Sequence, residues 1–287
     1  MDNERKVLAC VDRSRFAQAV ADAAAWAARQ MAAPLEFLHV IERHPPLRAA
    51  KDHSGAIGVD AQENLLRQLS EEDEARTREQ RESARRFLDD LRQRARAAGA
   101  DPVDVRLRHG ALDETLHELQ AQVRLFVLGR RGSSAETTRR DLGRNVEWAV
   151  RAVDHPILAV TDGFAPPTRV LFAFDGSALT RRGLGVVAAS PLLKGLPIHL
   201  LMADKAQAQG PKLLEAARQA LEQAGFAATA QAVHGDPETL IAQAIRDQGH
   251  DLLVMGAYSH SPLRALFLGS RTSDLLRSAT VPALLLR

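Results

Sequence analysis

Val7-Leu8-Ala9-Cys10-Val11-Asp12-Arg13-Ser14 is the first apolar run of the chain, and Val170-Leu171-Phe172-Ala173-Phe174-Asp175-Gly176-Ser177 repeats it in the second half. Each is a short aliphatic stretch ending on Asp and, two residues later, a serine, the pattern of a buried strand that runs into a helix. Further matches keep the same order. Arg108-His109-Gly110 is answered by Val233-His234-Gly235, Leu128-Gly129 by Met255-Gly256, and Leu142-Gly143-Arg144 by Leu268-Gly269-Ser270. Ordered matches over a whole half-chain indicate a duplication, hence two similar domains, 1–163 and 164–287, packed as an intramolecular pseudo-dimer. Assembly of two such chains into a further homodimer stays open.

Between these anchors, apolar runs alternate with Ala-rich stretches of helical period. In the first copy strands are expected at 5–12, 34–41, 103–108, 124–129 and 156–161, with helices at 15–32, 61–98, 111–122 and 143–153. In the second, strands are expected at 168–175, 197–203, 227–233, 251–257 and 281–286, with helices at 178–190, 208–224, 237–248 and 270–279. Continuous apolar runs such as Leu252-Leu253-Val254-Met255 suit parallel strands buried on both faces. The fold class is therefore α/β: two tandem domains, each a five-stranded parallel sheet with helices on both faces. Ligands on such sheets bind beyond the carboxyl ends of the strands, where the strand order reverses.

Gly163-Phe164-Ala165-Pro166-Pro167 is too short to tether two free bodies, so the domains are expected to dock. The last strands, 157–160 and 283–286, are the candidate interface, because pairing them covers two open sheet edges. The first copy is longer between its second and third strands, an insertion at about 44–98. Its first part, 44–60, carries two prolines and two glycines and reads as a loop. From Ser70 to Arg86 almost nothing is apolar, and Glu72 with Arg76, Glu74 with Arg78 and Glu82 with Arg86 fall at i,i+4 spacing. This is a charged helix running past the domain body, or an arm for a protein partner.

Composition removes several classes. With 38 Lys and Arg against 36 Asp and Glu, and the two signs interspersed, no basic stripe offers itself to nucleic acid. No apolar run reaches membrane-spanning length, and Met1-Asp2-Asn3-Glu4 lacks the cationic start of a signal peptide. A single cysteine, Cys10, forms no internal disulfide and reads as a small buried hydrophobe. A cytoplasmic location is expected. The ten histidines never fall at metal-ligand spacing; His109-Gly110 and His234-Gly235 read as turns after the third strand of each copy. Gly183-Leu184-Gly185 looks like part of a dinucleotide fingerprint, but it begins eight residues past its strand, inside a predicted helix, where helix packing is the better reading.

The sharpest chemical signal follows the fourth strand of the second copy. Gly256-Ala257-Tyr258-Ser259 leads through nine residues, His260 to Leu268, to Gly269-Ser270 at the start of the last predicted helix. Glycines admit close backbone approach, N–H groups opening a helix point outward unpaired, and a hydroxyl adds a donor: this is an anion site suited to a phosphate chain. The plainer reading is that Gly256 ends a strand and Ser270 caps a helix. Asp12 and Asp175, each just ahead of a helix, likewise read as helix caps, together with Ser14 and Ser177.

With the Asp after the first strand and Leu38-His39-Val40 closing the second, this spacing resembles the universal stress protein family over nearly the whole chain. The resemblance implies Rossmann-like domains of the adenine nucleotide alpha hydrolase type and a ligand that is ATP or AMP, with Mg as a companion. It places Asp175 and Ala203 at the adenine, and Gly256, Gly269 and Ser270 around ribose and phosphates. Ser259 stands where the family has its second glycine, a departure that costs about 1 kcal/mol if positive φ is required. In the first copy Asp12 and Val40 match the adenine side, and Gly129 and Gly132 the early glycines. There the spacer is ten residues, 133–142, and Gly143 is followed by Arg144 instead of a hydroxyl.

The function expected is a stress-response regulator that binds ATP or AMP, with the second domain as the preferred site. The alternative is an interaction module that has lost nucleotide and works through surfaces such as helix 70–86. A third reading is slow ATP hydrolysis, for which no catalytic base or P-loop is present in the sequence.

Overall fold

The computed structural model describes residues 5–41, 59–130, 144–204, 210–257 and 279–287; within them, the side chains of 59–74, 76, 144, 145 and 204 are left aside. The first half runs β1 (Lys6–Cys10), α1 (Ala17–Met31), β2 (Leu35–Ile41), α2 (Val59–Ala97), β3 (Val103–His109), α3 (Leu112–Leu119), β4 (Val123–Gly129), α4 (Arg144–Ala152) and β5 (Ile157–Val160). The second runs β6 (Val170–Ala173), α5 (Ala178–Ala189), β7 (Ile198–Asp204), α6 (Gly210–Gln223), β8 (Ala228–His234), α7 (Pro237–Gln248), β9 (Leu252–Gly256) and β10 (Ala283–Leu286). The helix expected at 270–279 lies, but for Ala279, outside the described residues. The helix expected through 122 breaks after Leu119 into a 3-10 turn at Gln120–Gln122.

The expected α/β class is what is seen, with one addition: the strands form a single ten-stranded sheet in the order β3-β2-β1-β4-β5-β10-β9-β6-β7-β8. Within each half all pairings are parallel; only β5 and β10 meet antiparallel, with Leu158 opposite Leu284 and Ala159 opposite Ala283. The proposed interface strands therefore do pair. Alternating side chains send Leu158, Val160, Leu284 and Leu286 into one apolar cluster, and Ile157, Ala159, Ala283 and Leu285 into another. Each cluster runs through both halves, so the seam is continuous core. The first cluster takes its helical residues from α1, α2, α5 and α6, the second from α3, α4 and α7. The short connection is docked as well: Phe164 lies 5.7 Å, ring to ring, from Trp26 of α1.

Long helix α2 is about 58 Å from end to end at 1.5 Å per residue. Ala84, Leu88, Leu91 and Ala95 form one buried stripe on it, and Arg94 clamps Asp22 of α1 at 2.6 and 2.8 Å. Residues 77–82 are exposed all round. This stretch is the solvated helix expected, but one proposed support is absent: Glu82 and Arg86, both exposed, make no ion pair. Holding two long side chains together in water costs as much entropy as the contact returns. The other two proposed pairs involve side chains outside the described set.

Gly183 shows why α5 carries glycines. A Cβ there would collide with the side chain of Leu286, whose own Cβ lies 3.1 Å away, whereas one at Gly185 meets open space. Helix packing, not dinucleotide binding, is the reason. Gly183→Val is expected to destabilise the protein by about 1–3 kcal/mol, and Gly185→Ala to stabilise it by up to about 1 kcal/mol. Urea midpoints of the two variants check the contrast, and equal midpoints would remove it.

Candidate functional site

In each half the chain lays three strands to one side of the sheet, then crosses over to place the fourth beside the first. This order reversal falls between the carboxyl ends of β1 and β4, and of β6 and β9, the place where sheets of this kind receive ligands. The register brings the expected residues together there. In the first half Cys10 lies opposite Leu38 and Leu128, so Asp12, Val40 and Gly129 follow at the ends of three adjacent strands. In the second Ala173 lies opposite Leu201 and Met255, so Asp175, Ala203 and Gly256 follow in the same offsets. Gly132, Gly143, Ser259, Gly269 and Ser270 lie outside the described residues; Arg144 begins α4, and only its backbone is described.

The serine-centred cap is realised in the second half only. Ser177 is the N-cap of α5, its hydroxyl accepting from the Thr180 N–H at 3.3 Å. Asp175 Oδ1 accepts from the Ser177 N–H at 2.9 Å and from the Thr180 hydroxyl at 2.7 Å. It therefore braces the cap and is not the cap itself. The residue is exposed, and its Oδ2 has no hydrogen-bond partner among the described residues. Gly176, at φ +71°, supplies the left-handed turn between strand and cap.

In the first half Asp12 Oδ1 accepts from the Ser14 N–H at 3.1 Å, but α1 starts only at Ala17, behind Phe16, with no side-chain cap. The cap expected from Asp12 and Ser14 is thus a correction. The sequence there reads Arg13 where the second half has Gly176, and the chain turns through Ser14 to Phe16 first. Ser14 is buried and its hydroxyl accepts from the Phe16 N–H at 3.4 Å.

Gly256 has a packing reason that requires no ligand. A Cβ there would stand 2.9 Å from Leu179 Cδ2 and 3.5 Å from Thr180 Cγ2. The first turn of α5 thus presses on the end of β9 while Thr180 also holds Asp175. Thr180 was not singled out in the sequence, although a hydroxyl three residues after an N-cap serine is the signal that finds it. His39 of the Leu-His-Val run lies 2.8 Å, through Nδ1, from the Val11 carbonyl and sets its ring edgewise against Phe87 of α2. Its counterpart, Met202, packs near Gly176 and Gly210.

Arg130, next after Gly129, reaches across the seam to the Ala279 carbonyl. The equivalent Ala257 has no side chain to do this and gives only its N–H to the Leu286 carbonyl, at 2.9 Å. Cys10 packs against the second apolar cluster, and burial pushes its thiol up to about 12, which removes it as a nucleophile at neutral pH. His109 and His234 end β3 and β8, and the chain bends at Gly110 and Gly235, with φ +137° and +153°.

The sequence pattern described as the Universal stress protein family matches residues 4–161 and again 167–287. The chain is 33% identical over 291 aligned residues to universal stress protein Slr1230 of Synechocystis sp., covering 99% of this chain and 100% of that one. A universal stress protein from Archaeoglobus fulgidus DSM 4304 superimposes with a TM-score of 0.71 at 16% identity, covering 100% of this chain and 97% of that chain. A Pseudomonas aeruginosa PAO1 protein of unknown function does so with a TM-score of 0.63 at 18% identity, over 99% and 93% of the two chains.

Proposed function

This chain belongs to the universal stress protein family, as a tandem member, and we propose that it is a nucleotide-responsive regulator that binds ATP or AMP in its second half. One observation carries this reading: Asp175, Ala203 and Gly256 meet at the order reversal of the sheet, where an α/β fold receives a ligand. The residues suit an adenine nucleotide. Ala203 leaves the wall small, Asp175 keeps Oδ2 open to an exocyclic amine or a ribose hydroxyl, and the run from Gly256 to Gly269-Ser270 has the composition of a phosphate cradle. Bound Mg would screen the phosphate charge.

The first half is the weaker candidate. Asp12 there is half-buried, Arg130 beside Gly129 is engaged across the seam, and Arg144 replaces the hydroxyl at the start of the last helix. Among the described residues no helix is long and apolar enough to cross a membrane; a cytoplasmic location belongs to the same proposal, and the single cysteine, Cys10, suits a reducing compartment.

Calorimetric titration of the full chain with ATP, and separately with AMP, is expected to give one binding event. Ala203→Trp, which fills the adenine side without altering a charge, should abolish the heat, and Val40→Trp should leave it. No heat at millimolar nucleotide from folded protein would sink the proposal. The interaction reading would then stand, since residues 77–82 of α2 offer a charged surface exposed on every side.

A further inference from the structure

At the opposite end of the sheet from the candidate site, His199 and His250 form a pair that the nucleotide reading does not use. His199 is the second residue of β7, and His250 stands two residues ahead of β9 and two after the end of α7. Their rings are parallel within 11°, with centroids 5.5 Å apart. His199 Nδ1 is 2.8 Å from the Thr229 hydroxyl of β8, and His250 Nε2 donates to Gln248 Oε1 at 3.2 Å. The other two ring nitrogens, His199 Nε2 and His250 Nδ1, are buried without a hydrogen-bond partner among the described residues. His250 as a residue is only 8% exposed.

Such a pair is held together only while both rings are neutral. With Nε2–H committed to Gln248, His250 Nδ1 carries a bare lone pair. A proton there would create a donor with no acceptor and a charge stacked on a second imidazole. The charged groups acting on His250 are Arg169, just ahead of β6, and Asp251. Asp251 accepts from the Arg169 and Thr168 N–H groups, and the Arg169 guanidinium is bonded to the Gln248 carbonyl at 2.8 Å. Thr229 faces the pair from β8 and Gln248 from the end of α7, neither of them ionisable.

The strand register makes the pair more telling. His199 lies opposite Leu171 of β6 as Glu36 lies opposite Leu8 of β1, so the two are equivalent positions. In the first half that position is a carboxylate met by Lys6 at 2.6 Å and Arg106 at 2.7 Å. The second half keeps a cation, Arg169, where the first has Lys6, but its guanidinium is turned to the Gln248 carbonyl, and Gln231 stands where the first has Arg106. At this position the first half holds a carboxylate between two cations, and the second an imidazole stacked on another imidazole.

We propose that the His199–His250 stack is a proton-responsive joint that loosens the α7–β9 corner of the second half at mildly acidic pH while the first half stays closed. Burial pulls both imidazoles below the ordinary histidine value, and for His250 the nearby His199 and Arg169 add to the effect against Asp251. The unfolded chain therefore takes up protons more readily than the folded one. The corner has its full stability above the ordinary histidine value near 6.5, and loses it as pH falls through the lower folded values.

The test is amide exchange on the full chain between pH 7.5 and 5, corrected for the intrinsic pH dependence of exchange. Protection at 248–254 is expected to fall about tenfold for each unit by which the pair titrates below normal, with protection at 35–41 unchanged. His199→Gln, which keeps a hydrogen-bonding group for Thr229 and takes no proton, should reduce the fall. Because that variant can fail to fold, imidazole NMR titration of the native protein reads the same point against the ordinary histidine value near 6.5. Corrected protection independent of pH, or either ring titrating at or above about 6.5, overturns the proposal.

Discussion

Leu158→Asp is expected to open the seam between the two halves and to cost more than about 5 kcal/mol, a large part of the stability of an ordinary domain. Leu158 is fully buried in β5, opposite Leu284 of β10, in the apolar cluster that runs through both halves. A carboxylate there loses the packing of the leucine and faces no donor or cation in that cluster. Once apart, β5 and β10 become two open, wholly apolar strand edges, so the variant should aggregate as well as unfold at lower urea. Leu158→Met, of similar volume, serves as the control and should cost less than about 1.5 kcal/mol. Urea unfolding with light scattering reads both effects, and a monodisperse Leu158→Asp variant with an unchanged midpoint would show that the halves hold together by other means.

Removing both cations from Glu36 should be nearly as damaging. The Glu36 side chain is 7% exposed between Lys6 Nζ and Arg106 Nε, on the three outermost strands of the first half. The Lys6 contact is an ion pair without an aligned hydrogen bond, since Glu36 Oε2 has no hydrogen-bond partner. A double substitution, Lys6→Met with Arg106→Met, strands a buried carboxylate and is expected to cost about 3–5 kcal/mol. Glu36→Leu should cost far less, because the lysine and arginine stems can carry their charges out to water. Denaturant midpoints of the two variants at neutral pH test this asymmetry. If Glu36→Leu proves the more damaging, the cluster stabilises by attraction and not by avoiding an unpaired charge.

Much of this architecture was legible in the sequence, because apolar runs of strand length and Ala-rich stretches of helical period follow from local chemistry. The duplicated Val7–Ser14 and Val170–Ser177 segments placed β1 and β6, and the apolar character of 157–160 and 283–286 indicated where two edges meet. The apolar runs continue past the strand ends into Val11-Asp12 and Phe174-Asp175, where the chain leaves the sheet to turn into a helix, so periodicity alone overstates both strands. Spacing singles out Gly256, the family resemblance implies Asp12, Val40, Gly129, Asp175 and Ala203, and their convergence follows from register.

Partners far apart in the chain were not legible. Nothing local to Arg130 announces Ala279, and nothing near Gly183 announces Leu286. His199 lies on β7 and His250 ahead of β9, and only the folding of β7 and β9 about β6 stacks their rings.

Hydrophobic periodicity and glycine spacing, both properties of neighbouring residues, thus determined two α/β halves and the strand ends at which a ligand would be received. Which side chains are buried together without partners, which glycine is fixed by packing, and how the halves share one core were decided by tertiary structure. Those depend on register and on distances between segments that the chain brings together only when it folds.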